Sequence, residues 1–130
     1  MSDAVTVVWD ESLLGYTMGG EHPLHPVRLD LTMRLADALG VLAGDRIEVI
    51  KPTPADVDLL TLVHDPAYLE AVKRAPADPD VGHGLGTPDN PIFDGMYDAA
   101  ALIAGGSVRA AELVHEGRAQ HAVNISGGLH

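Results

Sequence analysis

The chain has 130 residues, about one domain's worth, and a formal net charge of −11, because 19 acidic side chains face only eight lysines and arginines. So few positive side chains argue against a nucleic-acid partner, since affinity for nucleic acid rests mainly on clustered lysine and arginine. The sequence has no cysteine, no basic leader and no apolar run long enough to span a bilayer, which predicts a cytoplasmic protein without disulfides or a membrane partner.

The first half of the chain alternates strand and helix signals. Residues 5–9 are rich in β-branched side chains and predict a buried strand. Pro26 is suited to a first helical turn, and Gly40 is suited to the end of that helix. Residues 47–50 follow as a second strand. The helix is expected to bury one apolar face, formed by Val27, Leu31, Leu35 and Leu39.

The second half continues with helices and one more strand. Thr53-Pro54 and Asp65-Pro66 each pair a capping side chain with a helix-starting proline, which predicts two short helices. A long helix is expected to begin between residues 90 and 94 and to end near residue 116, and residues 121–126 should form a third strand. The packed face of the long helix is expected to contain Met96, Ala100, Ile103, Ser107, Ala111 and Val114.

The alternation of strands and helices predicts both the fold class and the place of a site. Such an order is typical of an α/β fold with a largely parallel sheet flanked by helices. In these folds ligands bind beyond the carboxyl ends of the strands. The sequence ends on an apolar strand, two glycines, a leucine and a histidine, so His130 is expected at that edge. These residues alone are equally consistent with a terminal histidine that has no function.

Two segments break the rules of the elements around them. Gly105 and Gly106 lie inside the long helix, where each costs roughly 1 kcal/mol relative to alanine. Close approach of another backbone is the interpretation that best accounts for this cost. Residues 75–91 contain four prolines and three glycines, which is typical of an ordered loop at the rim of a site and not of a short connector.

Five short segments of the sequence together resemble those of one enzyme family. Residues 22–28 contain a His-Pro-x-x-Pro-x-Arg signature, and residues 63–69 and 88–95 match further motifs in the same order. Residues 105–108 follow as Gly-Gly-Ser-Val. Residues 127–130 resemble a Gly-Gly-x-His-His segment, of which the chain has the first histidine. On these motifs the chain resembles the histone deacetylase superfamily, and within it the bacterial acetoin-utilization (AcuC-type) deacetylases.

The resemblance implies an arginase/deacetylase fold and a hydrolase. Residues 1–130 would be the N-terminal part of a single deacetylase domain, ending at its first active-site histidine. The complete protein would use zinc to hydrolyse N-acetyl-lysine, with all zinc ligands beyond residue 130 and no metal ligand in this chain. The chain alone would then be inactive, and an uncovered sheet edge would favour self-association.

The resemblance also assigns roles to residues near the site. His130 would be the catalytic residue that orients the attacking water or stabilises the developing oxyanion. Asp89 would bind backbone amides of the substrate peptide, although an aspartate in such a loop is ordinarily a turn former. Gly128 and Leu129 would line the substrate channel.

The resemblance further places Tyr16, Arg28 and Gly127 around an internal cavity. On the residues alone Arg28 is expected to face solvent, because an inward guanidinium would need several acceptors. His22 and His25 have a spacing that suits two ligands of one metal, but entry into a helix through the proline between them explains that spacing as well.

Other functions and several substrates remain open. One alternative is an arginase-like amidinohydrolase with two manganese ions, and another is a non-catalytic binding or assembly module with a vestigial active-site edge. For a deacetylase, the candidate substrates are acetyl-CoA synthetase, other acetylated proteins and a small acetylated amine. The acidic composition is compatible with attraction of a basic protein substrate and equally with solubility alone.

Overall fold

The computed structural model describes residues 3–128, and this part of the chain forms one three-stranded parallel sheet. β1 (Val5–Val8) lies between β2 (Ile47–Ile50) and β3 (His121–Asn124). The strands pair in register from the first residue of each. Their carboxyl ends therefore meet at one edge of the sheet, where α/β folds bind ligands.

Helices connect the strands and give the predicted α/β architecture. The described residues contain four α-helices: α1 (Val27–Ala38), α2 (Val57–Leu60), α3 (Pro66–Arg74) and α4 (Met96–His115). Two 3-10 helices cover Glu11–Leu14 and Val41–Ala43. Within residues 3–128 no helix has both the length and the apolar character needed to cross a membrane.

Several element boundaries agree with the prediction to within one or two residues. The side chain of Asp65 caps α3 and accepts a hydrogen bond from Ala67 N at 2.7 Å. α4 begins at Met96, just after the predicted range, because Gly95 has a left-handed conformation with a φ of 78°. β3 ends at Asn124, two residues earlier than predicted.

The predicted start of the second helix is wrong. α2 begins at Val57, and Asp56 Oδ1 caps it by accepting a hydrogen bond from Leu59 N at 2.8 Å. The preceding segment lies against α4, where Ala55 N donates to Ala101 O at 2.9 Å. Asp56 has an extended backbone with a ψ of 169°, so the helix cannot begin before it and Thr53-Pro54 does not start a helix.

The predicted buried face of α1 is also wrong. Leu29 and Met33 are buried, and the helix contacts both 3-10 helices. The residues predicted to be buried are exposed: Val27, Leu31, Leu35 and Leu39. α1 therefore has apolar side chains at helical spacing on two faces, and periodicity alone does not distinguish which face is packed.

The buried face of α4 agrees with the prediction only at Met96. The buried face centres on the two glycines. Its other members are mostly small, and the buried residues besides Met96 are Gly105, Gly106, Ala101, Ala110 and Leu113. The other predicted members are not buried: Ala100, Ile103, Ser107, Ala111 and Val114. The prediction weighted apolar spacing, whereas the helix packs through the face that has the least side-chain bulk.

The two glycines allow α4 to approach its neighbours closely. A Cβ on Gly105 would overlap the carbonyl oxygen of Thr53. A Cβ on Gly106 would lie 2.9 Å from Asn124 Nδ2 and 3.2 Å from Val8 Cγ1. The predicted close approach of another backbone is thus confirmed at Gly105, while Gly106 makes room for side chains of β1 and β3.

The opposite face of the sheet carries a row of valines. Val7 pairs with Val49 and with Val123, and paired residues of neighbouring strands share a face. Val49 and Val123 are 44% and 42% exposed. Self-association through an uncovered sheet edge stays a prediction.

Replacing Gly105 with alanine is expected to destabilise the protein, because the new Cβ has no room beside Thr53. In an ordinary helix the same change stabilises by roughly 1 kcal/mol. Here we expect urea unfolding to show a loss of about 2 kcal/mol or more. Ala111→Leu, at an exposed position of α4, is the control and should change the free energy of unfolding by less than about 0.5 kcal/mol. An unchanged unfolding midpoint for Gly105→Ala would contradict the close approach.

Candidate active site

A cavity of about 340 Å³ opens where the chain leaves β3. Ser126, Gly127 and Gly128 line it on one side. Side chains from α3, from α4 and from the loop over residues 75–95 supply most of the rest of the lining. The cavity therefore lies at the carboxyl edge of the sheet, where the sequence predicts a site.

Most of the cavity lining is apolar or aromatic. Val72, Ala75 and Met96 form a buried cluster beside it. The aromatic ring of Phe93 packs on this cluster and lies 6.0 Å from the ring of Tyr16. The loop over residues 75–95 is attached to the same cluster by Val81, Leu85, Ile92 and Phe93. The loop predicted over residues 75–91 lies within this packed stretch, and its residues Leu85 and Asn90 line the cavity.

Asn124 organises the polar end of the cavity through three hydrogen bonds. Its Nδ2 donates to Ile103 O at 3.1 Å and to Ser107 Oγ at 3.0 Å. Its Oδ1 accepts a hydrogen bond from Ser126 N at 3.1 Å. Both ends of the amide are used, so its orientation is set and β3 is tied to α4 beside the cavity.

Ser126 differs from the other polar residues of the lining. Its residue surface is only 6% exposed, and among residues 3–128 its Oγ is a buried polar atom without a hydrogen-bond partner. Leaving a buried hydroxyl unpaired costs about 1–3 kcal/mol. Sequence reasoning did not identify this residue, because the burial of a single serine after a strand has no signature in the sequence.

Tyr16 lines the cavity and is 8% exposed. Burial raises the pKa of its hydroxyl above the usual 10.0, and the positive charge of Arg28 opposes this effect. The hydroxyl is therefore protonated at neutral pH and able to donate a hydrogen bond. Arg28 is exposed and does not belong to the lining formed by the described residues.

Asp89 lies on a turn beside the cavity. Asn90 N donates to Thr87 O at 3.1 Å, and Gly86 N donates to Asn90 O at 2.9 Å, so the loop is closed around Asp89. Asn90 lines the cavity, whereas Asp89 is exposed and outside the lining. This placement suits contact with a peptide outside the cavity, and it also suits a turn former.

Three rings form a cluster next to the same cavity. Tyr68 lies 5.3 Å from the ring of His64 and 6.0 Å from the ring of His83. His64 and Tyr68 line the cavity, and His83 has a left-handed backbone with a φ of 58°. Sequence spacing carries no signal for this cluster, because the loop over residues 75–95 has to fold back onto α3 to form it.

The histidines of the motif at residues 22–28 have local backbone partners. His22 Nδ1 accepts a hydrogen bond from Leu24 N, and His25 Nδ1 accepts one from Val27 N, each at 3.1 Å. These bonds shape the entry into α1. Across residues 3–128 no three or more histidine, cysteine, aspartate or glutamate side chains are grouped so that they could hold a metal ion.

Four of the predicted site residues are the last four residues of the sequence, 127–130. Gly127 and Gly128 line the same cavity as Tyr16. Leu129 and His130 lie outside the described residues, so their roles in the substrate channel and in catalysis stay predictions.

Comparison with known proteins identifies related sequences. A model of the histone deacetylase domain matches residues 22–130. The acetoin utilization protein AcuC of Bacillus subtilis (strain 168) is 39% identical over 135 residues, which cover 100% of this chain and 34% of that protein. AcuC of Staphylococcus aureus (strain MRSA252) is 33% identical over 128 residues, covering 95% of this chain and 32% of that protein. Histone deacetylase 3 of Oryza sativa subsp. japonica is 33% identical over 133 residues, which cover 97% of this chain and 26% of that protein. The chain thus spans about a third or less of the length of these relatives.

Replacing Asn124 with alanine is expected to lower the free energy of unfolding by about 1–3 kcal/mol, because it removes the partners of Ser107 Oγ, Ile103 O and Ser126 N. Ser126→Ala is the matched comparison and should be neutral or slightly stabilising, since it removes a hydroxyl without a partner in the described structure. Urea unfolding measures both effects. Equal losses in the two variants would contradict this account of the hydrogen bonds.

Proposed function

Because the chain belongs to the histone deacetylase family, we propose that the complete protein is a zinc-dependent hydrolase of N-acetyl-lysine. The observation that carries this proposal is the cavity at the carboxyl edge of β3, which is lined by the two glycines of the Gly-Gly-Leu-His segment. Its apolar lining suits an acyl group, and its few hydroxyls suit the carbonyl oxygen and water that the reaction brings together.

The proposed reaction breaks one amide bond with one water molecule. The water oxygen bonds to the acetyl carbon, and the bond from that carbon to the lysine nitrogen breaks. One proton of the water is transferred to the departing nitrogen, which leaves a lysine amine and acetic acid. At neutral pH the proton of the acid passes to the amine, so the final products are acetate and a lysine ammonium group. A group that first accepts a proton and then donates it assists both halves of this reaction.

His130 is proposed to orient the water or to stabilise the developing oxyanion. Histidine suits this chemistry, since its ordinary pKa of about 6.5 lies close to neutral pH. Gly127 and Gly128 lack side chains and line the cavity just before His130, so an acyl-lysine can pass close to the backbone there. Tyr16, protonated at neutral pH, adds a hydrogen-bond donor to the lining.

Zinc is the part of the proposal that residues 3–128 do not supply. A catalytic zinc needs three protein ligands, and the described residues contain no suitable group of side chains. We propose that the ligands lie outside this part of the chain. The roles given to Tyr16, Asp89 and the glycines do not require any of them to bind metal.

The proposed substrate is an acetylated protein in the cytoplasm, with acetyl-CoA synthetase as one candidate. The relatives named acetoin utilization protein and histone deacetylase support the deacetylase class, and the substrates of those proteins are not transferred to this chain. The net charge of −11 would attract a basic segment around an acetylated lysine. Asp89, exposed on its turn, is the proposed acceptor for backbone amides of that segment.

Steady-state kinetics of the complete protein, prepared with zinc, tests the proposal on a peptide that carries one N-acetyl-lysine. Asp89→Asn is expected to lower kcat/KM by about 10- to 100-fold, the value of one hydrogen bond to a charged group. His130→Ala is expected to lower kcat by about 100-fold or more, because it removes a proton-transfer or orienting group.

Asp80→Asn is the matched control for Asp89→Asn. Asp80 is exposed in the same loop, outside the lining of the cavity, so its substitution should leave kcat/KM unchanged. Hydrolysis that survives the loss of both Asp89 and His130 unchanged would remove these residues from the reaction. Absence of any hydrolysis of acetyl-lysine by the complete zinc-loaded protein would contradict the proposed function itself.

A further inference from the structure

His83 lies in a short stretch of left-handed backbone in the loop over residues 75–95. The φ angles of Gly82, His83 and Gly84 are 77°, 58° and 75°. Among residues 3–128 His83 is the only residue other than glycine with a positive φ. A side chain makes this conformation unfavourable, although histidine adopts it more readily than most residues. Since glycine would meet the backbone requirement without that cost, the contacts of the imidazole ring have to explain the histidine.

The imidazole ring of His83 contacts a side chain of α3. Its centroid lies 6.0 Å from the centroid of the Tyr68 ring, and the two ring planes are tilted by 59°. Tyr68 lines the cavity and also lies 5.3 Å from the ring of His64. Tilted ring pairs at such distances stabilise the arrangement of the groups that they join. The contact thus ties the left-handed turn to the wall of the cavity.

Hydrogen bonds connect this turn to the turn that carries Asp89. Asn90 Nδ2 donates to Gly84 O at 3.4 Å, and Gly84 directly follows His83. Gly86 N donates to Asn90 O at 2.9 Å. Asn90, the residue next to Asp89, is therefore attached to the backbone beside His83 through both its side chain and its carbonyl group.

The apolar side chains of the loop attach it to the core at other positions. Leu85 and Ile92 pack on the buried cluster that includes Val72 and Met96. His83, by contrast, is exposed, so its ring adds little to the buried core. Loss of this ring is therefore expected to loosen the two exposed turns and to leave the core folded.

We propose that His83 is a positioning residue, which holds Asp89 in place beside the cavity through the contact of its ring with Tyr68. This inference rests on the proposed function, in which Asp89 accepts hydrogen bonds from backbone amides of the substrate. Asp89 is exposed on its turn, so its position depends on how firmly the loop is held. A loop that is ordered before the peptide arrives loses less conformational entropy when the peptide binds.

The strength of one ring contact sets the expected size of the effect. Removal of the ring can weaken peptide binding by no more than the contact contributes to holding the loop. For a ring pair this limit corresponds to a change of about three- to tenfold. The change is expected in KM, because Asp89 is proposed to contact the peptide backbone and not the reacting carbonyl group.

Steady-state kinetics of the complete zinc-loaded protein on an acetyl-lysine peptide tests this inference. His83→Asn is the main variant, because asparagine also adopts a positive φ but has no aromatic ring. We expect it to raise KM by about three- to tenfold and to leave kcat unchanged. His115→Asn makes the same change at an exposed histidine at the end of α4, outside the lining of the cavity, and should leave KM unchanged.

A double variant distinguishes the positioning of Asp89 from a separate role of His83. If His83 acts through Asp89, the His83→Asn change should have little further effect in a protein that already carries Asp89→Asn. If the two residues act independently, His83→Asn should raise KM by the same factor in both backgrounds. The second result would overturn the inference even if His83→Asn alone weakens binding.

Hydrogen exchange of the complete protein adds a measurement that does not depend on activity. Gly86 N and Asn90 N both donate hydrogen bonds within the loop, to Asn90 O and to Thr87 O. His83→Asn is expected to speed up the exchange of these two amides, because the turns open more often when the ring contact is lost. His115→Asn should leave their exchange unchanged.

The possible outcomes separate this inference from the proposed function. Hydrolysis of acetyl-lysine with the same KM before and after His83→Asn would overturn the role of His83 and keep the deacetylase. Unchanged exchange of the Gly86 and Asn90 amides in His83→Asn would also overturn it. Absence of any hydrolysis by the complete zinc-loaded protein would contradict the proposed function, and with it the role of His83 in substrate binding.

Discussion

The close approach of α4 to the sheet is the constraint on which the rest of the structure depends. Gly105 leaves room for the Thr53 carbonyl, and Gly106 leaves room for Val8 and for the amide of Asn124. Because helix and sheet are this close, Asn124 on β3 reaches both Ile103 O and Ser107 Oγ on α4. Two glycines that weaken the helix locally thus create the hydrogen-bonded corner beside the cavity.

The cavity combines a mainly apolar lining with a few polar groups whose positions are set by the backbone. The loop over residues 75–95 is packed on the Val72 and Met96 cluster, so one wall belongs to the folded core. Asn124 is hydrogen-bonded to Ser107 and Ser126, two polar residues of the lining. A mainly apolar cavity with a few polar groups in its lining is the kind of site that binds a small apolar group in a fixed orientation.

The strands and several helix ends were predictable, because β-branched runs and caps such as Asp65 act over a few residues. The close approach at Gly105 was predictable as well, because a glycine inside a helix lowers its stability and close packing of another backbone is the usual compensation. The packed face of α1 was not, because that helix has two apolar rows. Ser126 could not be identified either, since the burial of a single serine after a strand has no signature in the sequence.

The central claim is that the cavity at the end of β3 binds the acyl group of the substrate. A crystal structure of the complete His130→Ala protein with an N-acetyl-lysine peptide tests this claim most directly. We expect the acetyl group inside the cavity, in contact with Gly127. An acetyl group bound outside this cavity, with the cavity closed or filled by other parts of the protein, would contradict the account.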